Sequence, residues 1–126
     1  MHVILNDADD KLAVDQNGER IYELLGESDH LGSAQNHSVI RLVLAPGACS
    51  PTLPHFHKRS EETYVIVSGT ADIVIEGQKF SLCAGDIALA GIGEMHQITA
   101  TGDTDLIALA IMAPGFDLAD VFEAGE

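Results

Sequence analysis

The chain has 126 residues and a formal net charge of −14, with 46% hydrophobic residues, 5% aromatic residues and no tryptophan. Its acidic residues are concentrated at both ends, and we interpret these runs as a solvated surface that disfavours nucleic acids and anionic membranes as partners. No apolar run approaches the roughly 20 residues of a membrane-spanning helix, and the amino terminus lacks the basic start and long apolar stretch of a signal peptide. We therefore expect a cytoplasmic protein.

Short apolar stretches, separated by glycine-containing turns, predict strands along most of the chain. In chain order they cover residues 21–25, 39–44, 62–67, 71–76, 80–82, 87–90, 96–100 and 106–112. Many short strands of this kind are typical of an all-β sandwich or barrel. Since there is no internal repeat or linker, and 126 residues suffice for one core, we expect a single domain over residues 1–126.

The ends of the chain are less regular. Residues 7–26 are predicted to begin as a loop and to enter a strand at Ile21, and residues 117–122 carry a weak helical pattern. Residues 1–5 form an apolar stretch, which either adds to the sheet edge of a partner subunit or frays. Two cysteines, Cys49 and Cys83, are too few for a disulfide framework and are interpreted as reduced thiols.

Four residues with metal-binding side chains lie at predicted strand ends. His55 and His57 are two positions apart, so in a strand both imidazoles point to one face. Glu62 opens the next strand, and a fold-back between the two would bring its carboxylate to the imidazoles. His96 begins a later strand, just after the turn at Gly91-Ile92-Gly93.

Glu61 competes with Glu62 for this role. Glu62 shares its predicted inward face with Tyr64 and Ile66, so we favour Glu62 and expect Glu61 to face solvent, near Lys58 or Arg59. The other histidines lie outside the pattern and are interpreted as surface residues: His2, His30 and His37.

These residues resemble the two conserved motifs of the cupin family. Gly47, His55-x-His57, Glu62 and Gly69 look like the first motif, and Gly85, Gly91-x-Gly93 and His96 look like the second. The resemblance covers about residues 38–112. It implies a double-stranded β-helix, or jelly-roll barrel, with short amino- and carboxy-terminal extensions, and a metal held by His55, His57, Glu62 and His96. It also implies a homodimer, as is common in the family.

The sequence departs from the family pattern at three points. Seven residues separate Gly47 from His55, about two more than usual, which predicts a longer loop through residues 51–54 and preserves the inward direction of the histidine pair. Gly91 stands where the second motif has proline, and Ala100 where it has asparagine. None of the three changes the ligand set, but they weaken transfer of any particular activity.

Three neutral imidazoles and a carboxylate suit one divalent transition metal, namely Fe, Mn, Ni, Co, Cu or Zn, rather than Ca or Mg. Four protein ligands on an octahedral ion leave two positions for a small oxygen-rich molecule. The ion with one carboxylate would make the pocket locally attractive to anions, with Lys58 and Arg59 near its mouth.

Three functions remain open at this stage. A dioxygenase-type reaction needs an apolar pocket, with Ile66, Ile73, Ile75, Leu89 and Ile98 as candidate lining residues by strand parity. A sugar isomerase or epimerase uses the metal as a Lewis acid, with Tyr64 as the acid–base group unless it is only a packing residue. A non-catalytic small-molecule or metal-binding sensor is the alternative.

Overall fold

The computed structural model describes Val3 and residues 11–26 and 34–126. The expectations for His2 and His30, and for residues 1–5 apart from Val3, lie outside the described residues. Ten strands are assigned within these ranges: β1 Leu12–Gln16, β2 Glu19–Leu25, β3 Ser38–Leu44, β4 Cys49–His55, β5 Glu61–Ser68, β6 Thr70–Ile75, β7 Gln78–Cys83, β8 Ile87–Ala90, β9 His96–Ala100 and β10 Leu106–Ala113. The expected all-β class is confirmed.

The strands form two antiparallel sheets, the arrangement of a jelly-roll barrel. The larger sheet has the order β1-β2-β3-β10-β5-β8, and the smaller has the order β4-β9-β6-β7. Because neighbours within a sheet are mostly distant in sequence, the chain crosses repeatedly between the two layers. No helix among the described residues has the length and apolar character needed to cross a membrane.

Alternation along the strands places the core between the sheets. In β10 every second side chain, from Leu106 to Met112, is buried, and in β5 the buried positions are Glu62, Tyr64 and Ile66. This two-residue period is the signature of a strand with one face covered. The inward parity assigned to Glu62 and Tyr64 from the sequence is therefore correct.

Two strands differ from the sequence prediction. Residues 12–16, expected to be a loop, form β1 and pair with β2 through a tight turn in which Asn17 and Gly18 both have positive φ. An Asn-Gly turn with this backbone matches the twist of a two-residue hairpin.

Residues 51–54, also expected to be a loop, belong to β4. The strand pairs with β9 at Ser50 and again at His55, and its register shifts in between. The Gln97 side chain donates hydrogen bonds to the carbonyls of Pro51 and Thr52 across this irregularity. The extra residues thus bulge outward, and His55 lies directly opposite His96 in the register.

Candidate metal centre

Four side chains from both sheets converge at one end of the barrel. His55 ends β4 and His96 begins β9 on the smaller sheet, whereas Glu62 comes from β5 on the larger sheet. His57 follows β4 in the connection to β5. One ligand atom from each of the four residues lies within 4.8 Å of all the others, so the structure brings together the four residues expected to bind the metal.

The cluster is enclosed. His57, Glu62 and His96 are 2%, 5% and 1% exposed, and His55 is half-buried. Glu61, the competing carboxylate, is exposed and outside the cluster, as expected. His37 also lies outside the cluster but is half-buried rather than fully at the surface.

Backbone carbonyls orient two of the imidazoles. The Nδ1–H of His57 donates to the carbonyl of Asp120 at 2.7 Å, and the Nδ1–H of His96 donates to the carbonyl of Glu94 at 2.9 Å. A carbonyl only accepts, so these bonds place the proton on Nδ1 and leave Nε2 facing the centre. Histidine ligands of metals are typically held by contacts of this kind.

The contacts between two imidazoles and the Glu62 carboxylate are attractive only if a positive charge lies among these groups. The Nε2 atoms of His57 and His96 lie 3.3 Å and 3.0 Å from the same carboxylate oxygen, Oε1 of Glu62. With the protons on Nδ1, these contacts would set lone pair against lone pair. Only an additional proton or a cation between the groups makes them attractive, so the donor set fits a divalent transition metal.

The pKa values are set by burial and by these contacts. Burial, followed by repulsion from His96, lowers the pKa of His55 to about 4. Burial also disfavours charge on His57, but its bonds to Glu62 and to the Asp120 carbonyl prevail and raise its pKa. Burial disfavours the Glu62 carboxylate, yet its close contacts with the His57 and His96 imidazoles lower its pKa to about 2. At neutral pH the centre thus contains an ionised carboxylate and a neutral His55.

Asp120 is a positioning residue that the sequence analysis missed. Besides accepting from His57 with its carbonyl, it accepts from the backbone N–H groups of Lys58, Arg59 and Ser60 with its carboxylate. It is only 8% exposed, so the interpretation of the carboxy-terminal acids as a solvated surface is wrong for this residue. It ends a 3₁₀ turn, Leu118–Asp120, where a weak helical pattern was expected.

The carboxy-terminal segment packs against residues 56–59, which include His57, and is held there by hydrogen bonds and ring contacts. Phe122 exchanges backbone hydrogen bonds with Phe56, and their rings stack at 5.6 Å. Lys58 lies over the Phe122 ring at 4.1 Å and donates to the Glu126 carbonyl. Arg59 donates to the Gly115 carbonyl.

A cavity of about 480 Å³ opens beside the cluster and is lined mainly by apolar side chains. Three of the four cluster residues contribute to its wall: His55, His57 and Glu62. Tyr64 also lines it, and burial together with the nearby carboxylates of Glu62 and Glu19 raises the pKa of Tyr64 well above its usual range. The Tyr64 hydroxyl is therefore a neutral hydrogen-bond donor.

The apolar lining differs from the expected one. It comes from β1, β2, β3 and the carboxy-terminal segment, with Ile21, Ile40, Leu42, Met112, Phe116 and Val121 among its members. Of the expected residues, Ile66, Ile73 and Ile98 fill the closed core and Leu89 is 51% exposed. Parity correctly predicted that Ile66, Ile73 and Ile98 point inward, but it was wrong for Leu89 and did not predict at which level of the barrel the cavity lies.

The sequence matches the family model for the cupin domain over residues 40–112. It is 29% identical over 107 residues to an uncharacterised protein of Aquifex aeolicus, covering 79% of this chain and 86% of the relative. The chain also matches longer curated relatives, of whose length it spans 20%.

Solved structures are similar as well. KdgF from Halomonas sp. superposes with a TM-score of 0.79 at 20% identity, covering 93% of this chain and 96% of KdgF. A predicted oxalate decarboxylase from Thermotoga maritima superposes with a TM-score of 0.66 at 30% identity, covering 76% of this chain and 80% of its own. The first similarity concerns the fold alone.

Proposed function

This chain belongs to the cupin family, and on that premise we propose that it is a metal-dependent enzyme acting on a small oxygen-rich molecule. In this proposal His55, His57, Glu62 and His96 are the ligands of one divalent transition metal, and Tyr64 is the catalytic proton donor. The observation that carries the proposal is the convergence of four ligand atoms within 4.8 Å beside a mainly apolar cavity whose wall includes three of the four residues.

The metal would act as a Lewis acid that polarises a carbonyl or lowers the pKa of a bound hydroxyl. The protein residues supply the rest. Glu62 is ionised, because the neighbouring imidazoles of His57 and His96 lower its pKa to about 2, and the cavity beside it is lined mainly by apolar side chains. Tyr64 is two residues from Glu62 on the same face of β5 and keeps its proton, so it is suited to donate a proton to a developing alkoxide.

Proton-transfer chemistry of the sugar isomerase or epimerase type is the reaction class that we favour. The reason is the neutral, buried Tyr64 hydroxyl at the cavity wall. A dioxygenase-type reaction is the second candidate, because the apolar lining suits it. A non-catalytic small-molecule sensor is the third, since the same ligand set also serves binding alone.

One experiment separates these functions. The native metal is identified by elemental analysis, and the metal-loaded protein is then incubated with hydroxycarbonyl sugars while oxygen uptake and product are recorded. Isomerised sugar without oxygen uptake, lost in Tyr64→Phe with metal content unchanged, supports the favoured class. Oxygen uptake with a redox metal supports the dioxygenase, and tight ligand binding without turnover supports the sensor. Absence of any metal after supplemented expression contradicts the proposal.

The proposal extends to location and assembly. Cys49 and Cys83 are free thiols, which agrees with a reducing cytoplasm, and we propose a homodimer with a small molecule as its ligand. Light scattering after gel filtration tests the dimer against the 13.4 kDa mass of one chain.

A further inference from the structure

Glu19, the first residue of β2, stands out among the buried polar residues. It is 6% exposed and lines the same cavity as the metal centre. Its Oε2 atom is the one buried side-chain oxygen or nitrogen without a hydrogen-bond partner in the part of the chain that the structure describes. Other buried polar residues, such as Asp120 and Ser60, are hydrogen-bonded.

An enclosed carboxylate oxygen without a partner destabilises the folded protein, because its lost hydration is not replaced. Such groups are rare in native structures and call for a specific explanation. Glu19 faces a cavity with room for a small molecule, so the missing partner is explained if a bound ligand supplies it.

The charges around the cavity indicate what that ligand carries. Glu19 and Glu62 both line it, so two carboxylates would face the two positive charges of a divalent ion. All six cationic residues of the chain lie in the described ranges and none lines the cavity. Lys58 and Arg59, expected near the pocket mouth, are engaged by the carboxy-terminal segment instead. The expected attraction for anions is thus offset by the cavity wall.

We propose that Glu19 is a specificity-determining residue that accepts a hydrogen bond from a hydroxyl or amino group of the ligand and rejects ligands with a second carboxylate or a phosphate. This inference rests on the proposed function, because the other end of the ligand is held at the metal. The ligand class is accordingly a neutral or cationic molecule with a metal-chelating end and a donor-bearing tail.

Four hydroxamates with one common chelating end test this directly. Their tails end in a methyl, a hydroxyl, an amine and a carboxylate: butyrohydroxamate, 3-hydroxypropanohydroxamate, β-alanine hydroxamate and succinohydroxamate. Affinities are measured from the visible spectrum of the cobalt-loaded protein. The variants are Glu19→Gln and, as a matched control, Asp15→Asn, which removes one charge from an exposed position on the neighbouring strand β1.

We expect the wild type to bind the hydroxyl and amine tails about 5- to 10-fold more tightly than the methyl tail, and the carboxylate tail more weakly. Glu19→Gln should lose the amine preference and the rejection of the carboxylate, whereas Asp15→Asn should keep both. An unchanged ranking in Glu19→Gln would overturn the inference while leaving the metal site intact. Failure to take up cobalt would instead contradict the proposed function.

A second measurement needs no ligand or metal. If Glu19 is kept for binding rather than for folding, Glu19→Leu should raise the Tm of the metal-free protein by about 3–10 °C, because it removes an unsatisfied buried group. Asp15→Asn should leave the Tm within a degree or two. A lower Tm in Glu19→Leu would show that Glu19 is structural and would overturn the inference.

Discussion

At the scale of single residues, the orientation of the metal-binding side chains depends on groups that do not themselves belong to the cluster. The carbonyls of Asp120 and Glu94 hold the Nδ1 protons of His57 and His96, and this directs both Nε2 atoms to Glu62. The Asp120 carboxylate also fixes the three backbone N–H groups that follow His57. The orientation of these two imidazoles is therefore set before any ion binds.

Exchanging one carboxylate tests the assignment of Glu62. Glu62→Gln removes the charge that an ion would contact, and we expect it to lower affinity for Mn²⁺ or Co²⁺ at least about 100-fold, more than loss of an outer contact does. Glu61→Gln, at the exposed neighbouring position, should change affinity less than twofold. Metal titration with a competing chelator measures both, and the opposite order would contradict the assignment.

Asp120→Asn tests whether the hydrogen bonds of the Asp120 carboxylate support the metal centre. Its amide binds three N–H groups less strongly than the carboxylate, so we expect a stability loss of about 1–3 kcal/mol and a drop in metal affinity of about 10-fold. Urea unfolding and metal titration measure the two effects. Glu123→Gln, an exposed acid of the same segment, is the control and should show neither.

His55 makes the metal-free protein sensitive to acid. Its folded pKa of about 4 lies below its ordinary value of 6.5, so the unfolded chain binds the proton first and stability falls as the pH drops from 6.5 to 4. The loss is at most about 3 kcal/mol. In urea unfolding, His55→Gln should lack this part of the slope and His37→Gln should retain it. Equal slopes in wild type and His55→Gln would contradict the pKa shift.

At the scale of elements, the pairing of the strands determines where the metal-binding residues lie, and bulges and turns determine that pairing. The register that places His55 opposite His96 depends on the bulge in β4 that Gln97 supports. The hairpin between β5 and β6 turns at Gly69, where φ is +84° and a side chain would approach the Asp105 carbonyl oxygen at 2.7 Å.

Two glycines of similar backbone conformation allow the cost of backbone strain to be measured apart from the cost of a steric clash. Gly77 has a φ of +77° but open space around it. Gly77→Ala should cost about 1 kcal/mol, for the backbone alone, and Gly69→Ala should cost about 1–3 kcal/mol more, because backbone atoms must shift. Thermal unfolding measures the difference. Equal losses would show that the Asp105 backbone yields freely.

At the scale of the whole molecule, the centre joins the two sheets and the carboxy-terminal segment. His55 and His96 belong to one sheet, Glu62 to the other, and His57 is bonded to Asp120. An ion bound to all four therefore links parts of the fold that separate on unfolding.

Metal should consequently stabilise the folded protein. At a free metal concentration 100 times Kd the gain is about 2.7 kcal/mol, which corresponds to a rise in Tm of about 10 °C for a chain of this length. The variant His55→Ala/His57→Ala should show no rise, and His37→Ala should show the full rise. Differential scanning fluorimetry with and without Mn²⁺, Co²⁺ or Zn²⁺ measures this, and an unchanged wild-type Tm would contradict metal binding.

The sequence alone determined the all-β class and the inward parity of Glu62 and Tyr64, because a two-residue period is a local property. The four residues of the cluster were implied by the resemblance to the two cupin motifs, since no local pattern brings His96 to the other three. The Asn17-Gly18 turn is also a local signal of a hairpin, although residues 12–16 were expected to be a loop. Only the tertiary structure decided that Asp120 supports the centre, that Glu19 faces the cavity and that Ile66, Ile73 and Ile98 do not. These depend on which distant segments meet and at what level of the barrel, and such long-range packing is not encoded in the pattern of any single segment.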